Sequence, residues 1–264
     1  MRTFKKLLLK LRLKATLAKL SDIRLDNIIQ HPSPNWNSRD GQKIVFLIEH
    51  YTVDDFEAAL RRLTDPAAQV SSHYLVDLDG TIYQLVAEIN RAWHAAPAFW
   101  DGYTDINSVS IGIEIVNPGD TPYTPAQMEA VKALSLDIAE RYSIPPTHVL
   151  AHSDVSVTVQ NHKEDPGWFF DWQGLAVQGV GVWPQPTQVD YDNSAGWSDD
   201  DLKQKLIEYG YTADADLSKL VEAFQRHFQQ EVAQTPERIG VADADTRARL
   251  AYLLRFKAAG VRLF

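Results

Sequence analysis

Cysteine is absent from the 264 residues. That excludes disulfides, thiolate zinc sites, a thiol nucleophile and acylation of an N-terminal lipoprotein cysteine, without choosing a compartment. A GxSxG elbow is missing as well, so no serine hydrolase signature offers a covalent route. Positive charge is short overall: 26 Lys and Arg face 35 Asp and Glu, a formal net charge of -9. This argues against a nucleic-acid partner, since duplex affinity rests on cations that neutralise phosphates. No internal repeat or low-complexity tract stands out. Long apolar runs are lacking at the start, where the longest is Leu7 to Leu9, short of the roughly 7–15 residues of a signal-peptide core.

The scarce positive charge is concentrated. Arg2, Lys5, Lys6, Lys10, Arg12, Lys14, Lys19 and Arg24 stand against Asp22 alone, while Leu9, Leu13, Leu17 and Leu20 recur at helical spacing. Residues 1–28 are therefore expected to form a basic amphipathic segment. Its stretch 2–24 either rests on an anionic membrane surface or docks on the chain's own acidic domain, with a degenerate export signal as a third reading.

Apolar and charged fractions of 45% and 23% are those of a chain with a packed core, and the length suits one sizeable domain plus a small one. "KIVFLIEHYT" reads as a central strand buried on both faces, with His50 at its open end. "DDFEAALRRL" has helical spacing, and "VSSHYLVDLDGTIYQLV" reads as two strands around an Asp-Gly turn. "SVSIGIEIVN" alternates, so Gly112 and Glu114 share one face and leave room beside the carboxylate. "TPAQMEAVKALSLDIAERY" predicts an amphipathic helix capped by Thr124 with Pro125 in its first turn. The fold class is α/β, a mixed central sheet flanked by helices. "PQPTQVDYDNSAGW" reads as a linker, and three helical segments follow it: one capped by Ser198 and ending at Gly210, one with a Leu217, Leu220, Val221, Phe224, Phe228 stripe, and "DADTRARLAYLLRF". The expected division is 29–184, linker 185–198, and an all-α three-helix bundle over 199–264.

Eight histidines are present, and most are expected to be ordinary hydrogen-bonding groups. His50 and His152 differ, because each follows an apolar stretch and sits at a strand end, where sites are usually built. Two imidazoles and one carboxylate fill three positions of a catalytic zinc and leave the fourth open. Asp154, Glu164 and Asp165 all lie near His152 in sequence, and spacing does not decide among them.

"IEHYT", "AWHA", "SIGIEIVN", "AHSDV" and "HKEDPGWFFDW", in that order, resemble the zinc-dependent N-acetylmuramoyl-L-alanine amidases of the family that includes peptidoglycan recognition proteins. The resemblance spans about residues 30–184. It implies one Zn²⁺ held by His50, His152 and Asp165, with Glu114 activating or orienting the attacking water and Lys163 stabilising the oxyanion. It also implies that His94 lines the substrate site, that His73 is a buried orienting group, and that the Pro166-Gly167 turn aims the loop. The implied reaction cuts the amide between N-acetylmuramic acid and L-alanine in peptidoglycan or its muropeptide fragments. A non-catalytic peptidoglycan sensor on the same fold and a stem-peptide metallopeptidase are the rivals. The chain departs from the family pattern at Ala151, at "VSVTVQN" and at His162, which stands where an Arg is common and is expected to face solvent. The C-terminal helices resemble a three-helix peptidoglycan-binding module through "AFQRHF" and "GVADADTRARL", which implies tethering to the wall. A monomer in the bacterial envelope or periplasm is expected, with the cytoplasm as the alternative.

Overall fold

The computed structural model describes residues 27–95, 97–158 and 162–260. Nearly all of the basic N-terminal segment, including the stretch 2–24 expected to touch a membrane, lies outside them. Among the described residues no helix is long and apolar enough to cross a membrane.

Two short strands open the chain, β1 (Ile29–Gln30) and β2 (Trp36–Ser38), before the central strand β3 (Phe46–Tyr51). Helix α1 (Phe56–Thr64) follows, capped by the Asp55 carboxylate accepting from the Ala58 amide, which satisfies one of the free N–H groups of the first turn. The hairpin β4 (Tyr74–Val76) and β5 (Ile82–Gln84) forms as expected; Gly80 at φ 84° supplies the left-handed turn residue that a side chain resists. Strand β6 (Asn90–Ala92) pairs with β2, and the short helix α2 (Ile106–Val109) leads into β7 (Ser110–Ile115). Helix α3 (Pro125–Tyr142) carries the Thr124 cap and Pro in the first turn, with Thr124 and Gln127 in a reciprocal capping box. Strand β8 (Val149–Ala151) runs directly into α4 (His152–Val155), and α5 (Trp172–Val177) closes this part.

The main sheet has six strands in the order β1-β5-β4-β7-β3-β8. β3 lies between β7 and β8, parallel to both, so both of its edges are paired, and its two faces enter separate apolar clusters, Phe46 and Ile48 one and Leu47 the other, as its unbroken apolar run requires. Its odd residue, Leu47, packs with Ile111, Ile113, Val131 and Leu134 in a cluster closed by α3.

The C-terminal part comprises α6 (Gln188–Ser194), α7 (Asp199–Tyr209), α8 (Leu217–Phe228) and α9 (Ala244–Ala258). The three expected helices are present, with Ser198 capping α7 and Gly210 ending it. The segment 185–198, expected as a linker, contains α6: Asp190 accepts from the Thr187 amide at 2.8 Å and from the Arg255 guanidinium at 2.9–3.0 Å. Polar caps and an ion pair hold this helix, so apolar periodicity gave no sign of it. Phe46, Ile48 and Leu150 of the sheet share one apolar cluster with Leu206, Phe224, Phe228 and Leu250 of these helices. The C-terminal helices therefore cover the sheet face that carries His50.

Candidate active site

His50 ends β3 and Glu114 lies opposite it on β7, in register, so their side chains emerge side by side from one face. His152 is the first residue of α4, immediately after β8. The loop beyond α4 folds back on itself: Lys163 N–H donates to Ser156 O at 3.1 Å and Ser153 N–H to Asp165 O at 3.0 Å. This return brings Asp165 beside the two imidazoles. His50 Nδ1 and His152 Nδ1 each lie 2.9 Å from the same oxygen, Asp165 Oδ2, and all three residues are buried. Burial alone raises a carboxyl pKa, but the positive charge and N–H groups of the two imidazoles, when these are protonated, outweigh it and hold Asp165 well below the usual range.

The three carboxylates left open by spacing are now separated. Asp154 is fully buried but turns away from the histidines, accepting from the Ala151 amide, the Tyr211 hydroxyl and His227 Nδ1. Glu164 is exposed and faces Arg226 at 3.3 Å. Asp165 alone of the three joins His50 and His152.

A hydrogen-bond chain fixes the tautomer of His50. Ser110 Oγ donates to Ile106 O at 2.7 Å, which leaves it as acceptor for His94 Nε2–H at 3.1 Å. His94 Nδ1 then accepts from His50 Nε2–H at 3.0 Å, and His50 Nδ1 is left with a lone pair aimed at Asp165. Two electron-pair donors at 2.9 Å repel unless a proton or a cation lies between them. With His152 Nδ1 facing the same point, the donor set fits a zinc ion. Burial, followed by the nearby His50, pushes the His94 pKa well down and keeps its ring neutral, as an acceptor Nδ1 requires.

His94 was expected to line the substrate site. It does border the cleft, and both of its nitrogens are engaged within the protein, by His50 and Ser110. Its ring occupies the room that Gly112 leaves; a Cβ there would come within 2.5 Å of it. His73 behind it accepts from the Gly112 amide at 3.0 Å, and burial followed by the Arg39 charge lowers its pKa to about 3.

Glu114 borders the cleft with Oε2 buried and without a hydrogen-bond partner among the described residues. Burial raises its pKa to about 7, against the attraction of His50. Lys163 sits on the exposed side of the loop and reaches the same cleft, whose outer walls include Tyr51, Arg62 and Trp93.

A family model described as N-acetylmuramoyl-L-alanine amidase matches residues 40–168. The N-acetylmuramoyl-L-alanine amidase AmiD of Escherichia coli is 39% identical over 238 residues, 80% of this chain and 83% of the relative. The chain belongs to the N-acetylmuramoyl-L-alanine amidase family. The 1,6-anhydro-N-acetylmuramyl-L-alanine amidase AmpD of Haemophilus influenzae is 31% identical over 60% of this amidase and 96% of its own length. Among solved structures, E. coli AmiD in complex with anhydro-N-acetylmuramic acid-L-Ala-D-gamma-Glu-L-Lys superposes with a TM-score of 0.72 at 38% identity, covering 83% of this chain and 90% of that one. AMPDH3 of Pseudomonas aeruginosa with anhydromuramic pentapeptide gives 0.72 at 31% identity, covering 85% and 95%. Family membership makes this chain a hydrolase of the amide between N-acetylmuramic acid and L-alanine.

Several residues of the amidase escape sequence reasoning. Ser110 looks like an ordinary strand residue, yet it starts the tautomer chain. His162 was expected in solvent; it lies instead 3.3 Å from Arg226 Nη1 and 3.6 Å from Glu222. His227 and Arg226 are buried on α8 although the apolar stripe runs beside them. A charged or titratable residue next to a helix's apolar stripe is the one signal that pointed to them.

Proposed function

We propose that this amidase works with one zinc ion held by His50, His152 and Asp165, and that it cleaves the lactyl–L-alanine amide in peptidoglycan or its muropeptide fragments. The convergence of His50 Nδ1 and His152 Nδ1 on one buried oxygen, Asp165 Oδ2, is the observation that carries this reading. When bound, the ion supplies Lewis acidity, polarising the amide carbonyl and lowering the pKa of a nearby water. Glu114 takes the proton from the attacking water and passes it to the departing amine; its raised pKa, near 7, suits both transfers. Lys163 balances the negative charge that develops on the carbonyl oxygen as the carbon becomes tetrahedral. His94 and Ser110 keep His50 in the tautomer that binds metal.

Two of the similar solved structures hold anhydromuramoyl peptides, which supports soluble muropeptides as the first substrates to try. Metal analysis and digestion of a muramoyl peptide test the proposal together: bound zinc and a product with a free L-alanine amine are expected. Protein without zinc, or fragments cut inside the stem peptide, would overturn it. We place the amidase in the envelope as a monomer, its C-terminal helices serving as a wall-binding module. Protease accessibility in whole cells against spheroplasts tests the first point, light scattering the second and pelleting with purified wall sacculi the third.

A further inference from the structure

Helix α8 reaches the metal-ligand loop at both of its ends. At the near end His227 Nδ1 lies 2.6 Å from Asp154 Oδ2, two residues beyond the ligand His152, and Tyr211 donates to the other oxygen at 2.6 Å. The His227 ring is fixed by stacking on Trp172, with centroids 3.8 Å apart. At the far end Arg226 bonds Glu222 at 2.6 Å, approaches Glu164 at 3.3 Å and lies over the Trp168 ring at 5.3 Å. Gln230, just past the helix, donates to the carbonyls of Trp168 and Phe170, each at 2.9 Å. Between these anchors lie Lys163 and Asp165. The triad His162, Glu164 and Glu222 is close enough to hold a cation, but the Arg226 guanidinium already supplies the positive charge there.

We infer that Arg226, His227 and Gln230 form a clamp that holds Asp154 and residues 162–170 in their catalytic arrangement, making the C-terminal helices positioning elements for hydrolysis. The physical reason is that the loop has little regular structure of its own. Among its described residues the backbone bonds include the Val157–His162 bridge, Lys163 N–H to Ser156 O and Ser153 N–H to Asp165 O, and a misplacement of about 1 Å at a reacting centre costs on the order of 100-fold in rate. A rigid helix bonded to both ends removes that freedom. Partners bonded directly to a ligand are worth about 10–100-fold in metal affinity, and contacts one residue removed from Asp165 act at the lower end of that range.

The inference rests on the amidase reading, and its test separates the two. Arg226→Ala and Gln230→Glu, both in the full chain, are assayed on a small soluble muramoyl tripeptide, which needs no wall tethering. Zn²⁺ affinity is measured in parallel by competition with a chromogenic chelator. Gln230→Glu keeps the side chain's size and removes the two-carbonyl donor, a second, independent probe of the clamp whose folding is checked by circular dichroism beside that of Arg226→Ala. Expected are a kcat lowered about tenfold with KM within about twofold, Zn²⁺ affinity weakened about tenfold, and partial recovery of both in Arg226→Lys. The inference is overturned if folded variants keep wild-type kcat and Zn²⁺ affinity and lose binding to intact wall alone. Should the wild type leave muramoyl peptide uncut, the amidase reading fails, while the Zn²⁺ comparison still decides the clamp.

Discussion

At the scale of single residues, two carboxyls on neighbouring strands, Glu49 fully buried and Glu114 half-buried, face opposite ways. Glu114 opens on the cleft, and Glu114→Ala should keep zinc while lowering kcat by about 10²–10⁴-fold, because it removes a proton acceptor without touching a ligand. Zinc content and kcat measured on the same sample check this; loss of zinc would make Glu114 a ligand. Glu49 points into the cluster beneath α3. It is fully buried, held by Ser135 Oγ at 2.8 Å, and its Oε2 meets no partner among the described residues. Burial pushes its pKa up to about 8, against the Ser135 hydrogen bond. The folded state thus binds this proton more tightly than the unfolded chain. Its stabilising effect is complete below the unfolded carboxylate pKa and is lost as pH rises from about 4.5 to about 8. Glu49→Gln should therefore raise Tm by on the order of 5 °C at pH 8 and change it little at pH 5. Equal shifts at both values in a thermal melt would refute the linkage.

At the scale of elements, strand β7 is tuned by its missing side chain. Gly112→Ala sets a methyl within 2.5 Å of the His94 ring, and the buried neighbourhood gives it no room to move. The ring must shift away from His50, so Zn²⁺ affinity should fall about 10–100-fold, with an overpacking cost of about 1–3 kcal/mol. Chelator competition and a urea melt measure the two effects. Much of this scale was legible in the sequence. The run ending at His50, the alternation that pairs Gly112 with Glu114, and the Thr124 cap all record local periodicity or local hydrogen bonding, which neighbours in the chain determine. Helix α6 was not legible, because Asp190 and Arg255, 65 residues apart, hold it in place of an apolar stripe. Within the C-terminal helices Gln225 of "AFQRHF" bonds the Arg238 and Val241 carbonyls, and Asp243 of "GVADADTRARL" caps the Thr246 amide.

At the scale of the whole molecule, the catalytic sheet and the C-terminal helices share one apolar cluster. A chain ended at residue 184 would leave Phe46, Ile48 and Leu150 without their cover. It should be insoluble or lack a cooperative transition, and a soluble fragment with a sharp melt in circular dichroism would show that the two parts are separable. Removal of metal acts globally too. Zinc at about 100 times its Kd stabilises the folded state by about 2.7 kcal/mol, so a chelator should lower Tm by about 5–10 °C, with recovery on added Zn²⁺. An unchanged Tm would speak against a bound ion.

Sequence alone determined the chemical vocabulary of the site: imidazoles at strand ends, a carboxylate beside a glycine, a crowded loop before a Pro-Gly turn. Those follow from local pattern, and the order of five short motifs identified the family resemblance. Tertiary structure decided which carboxylate joins His50, a residue 115 positions away, which nitrogen of each ring faces it, and that a C-terminal helix braces the loop between. Such choices depend on which surfaces pack together, and spacing along one strand or helix carries no record of partners that meet only when the chain has folded.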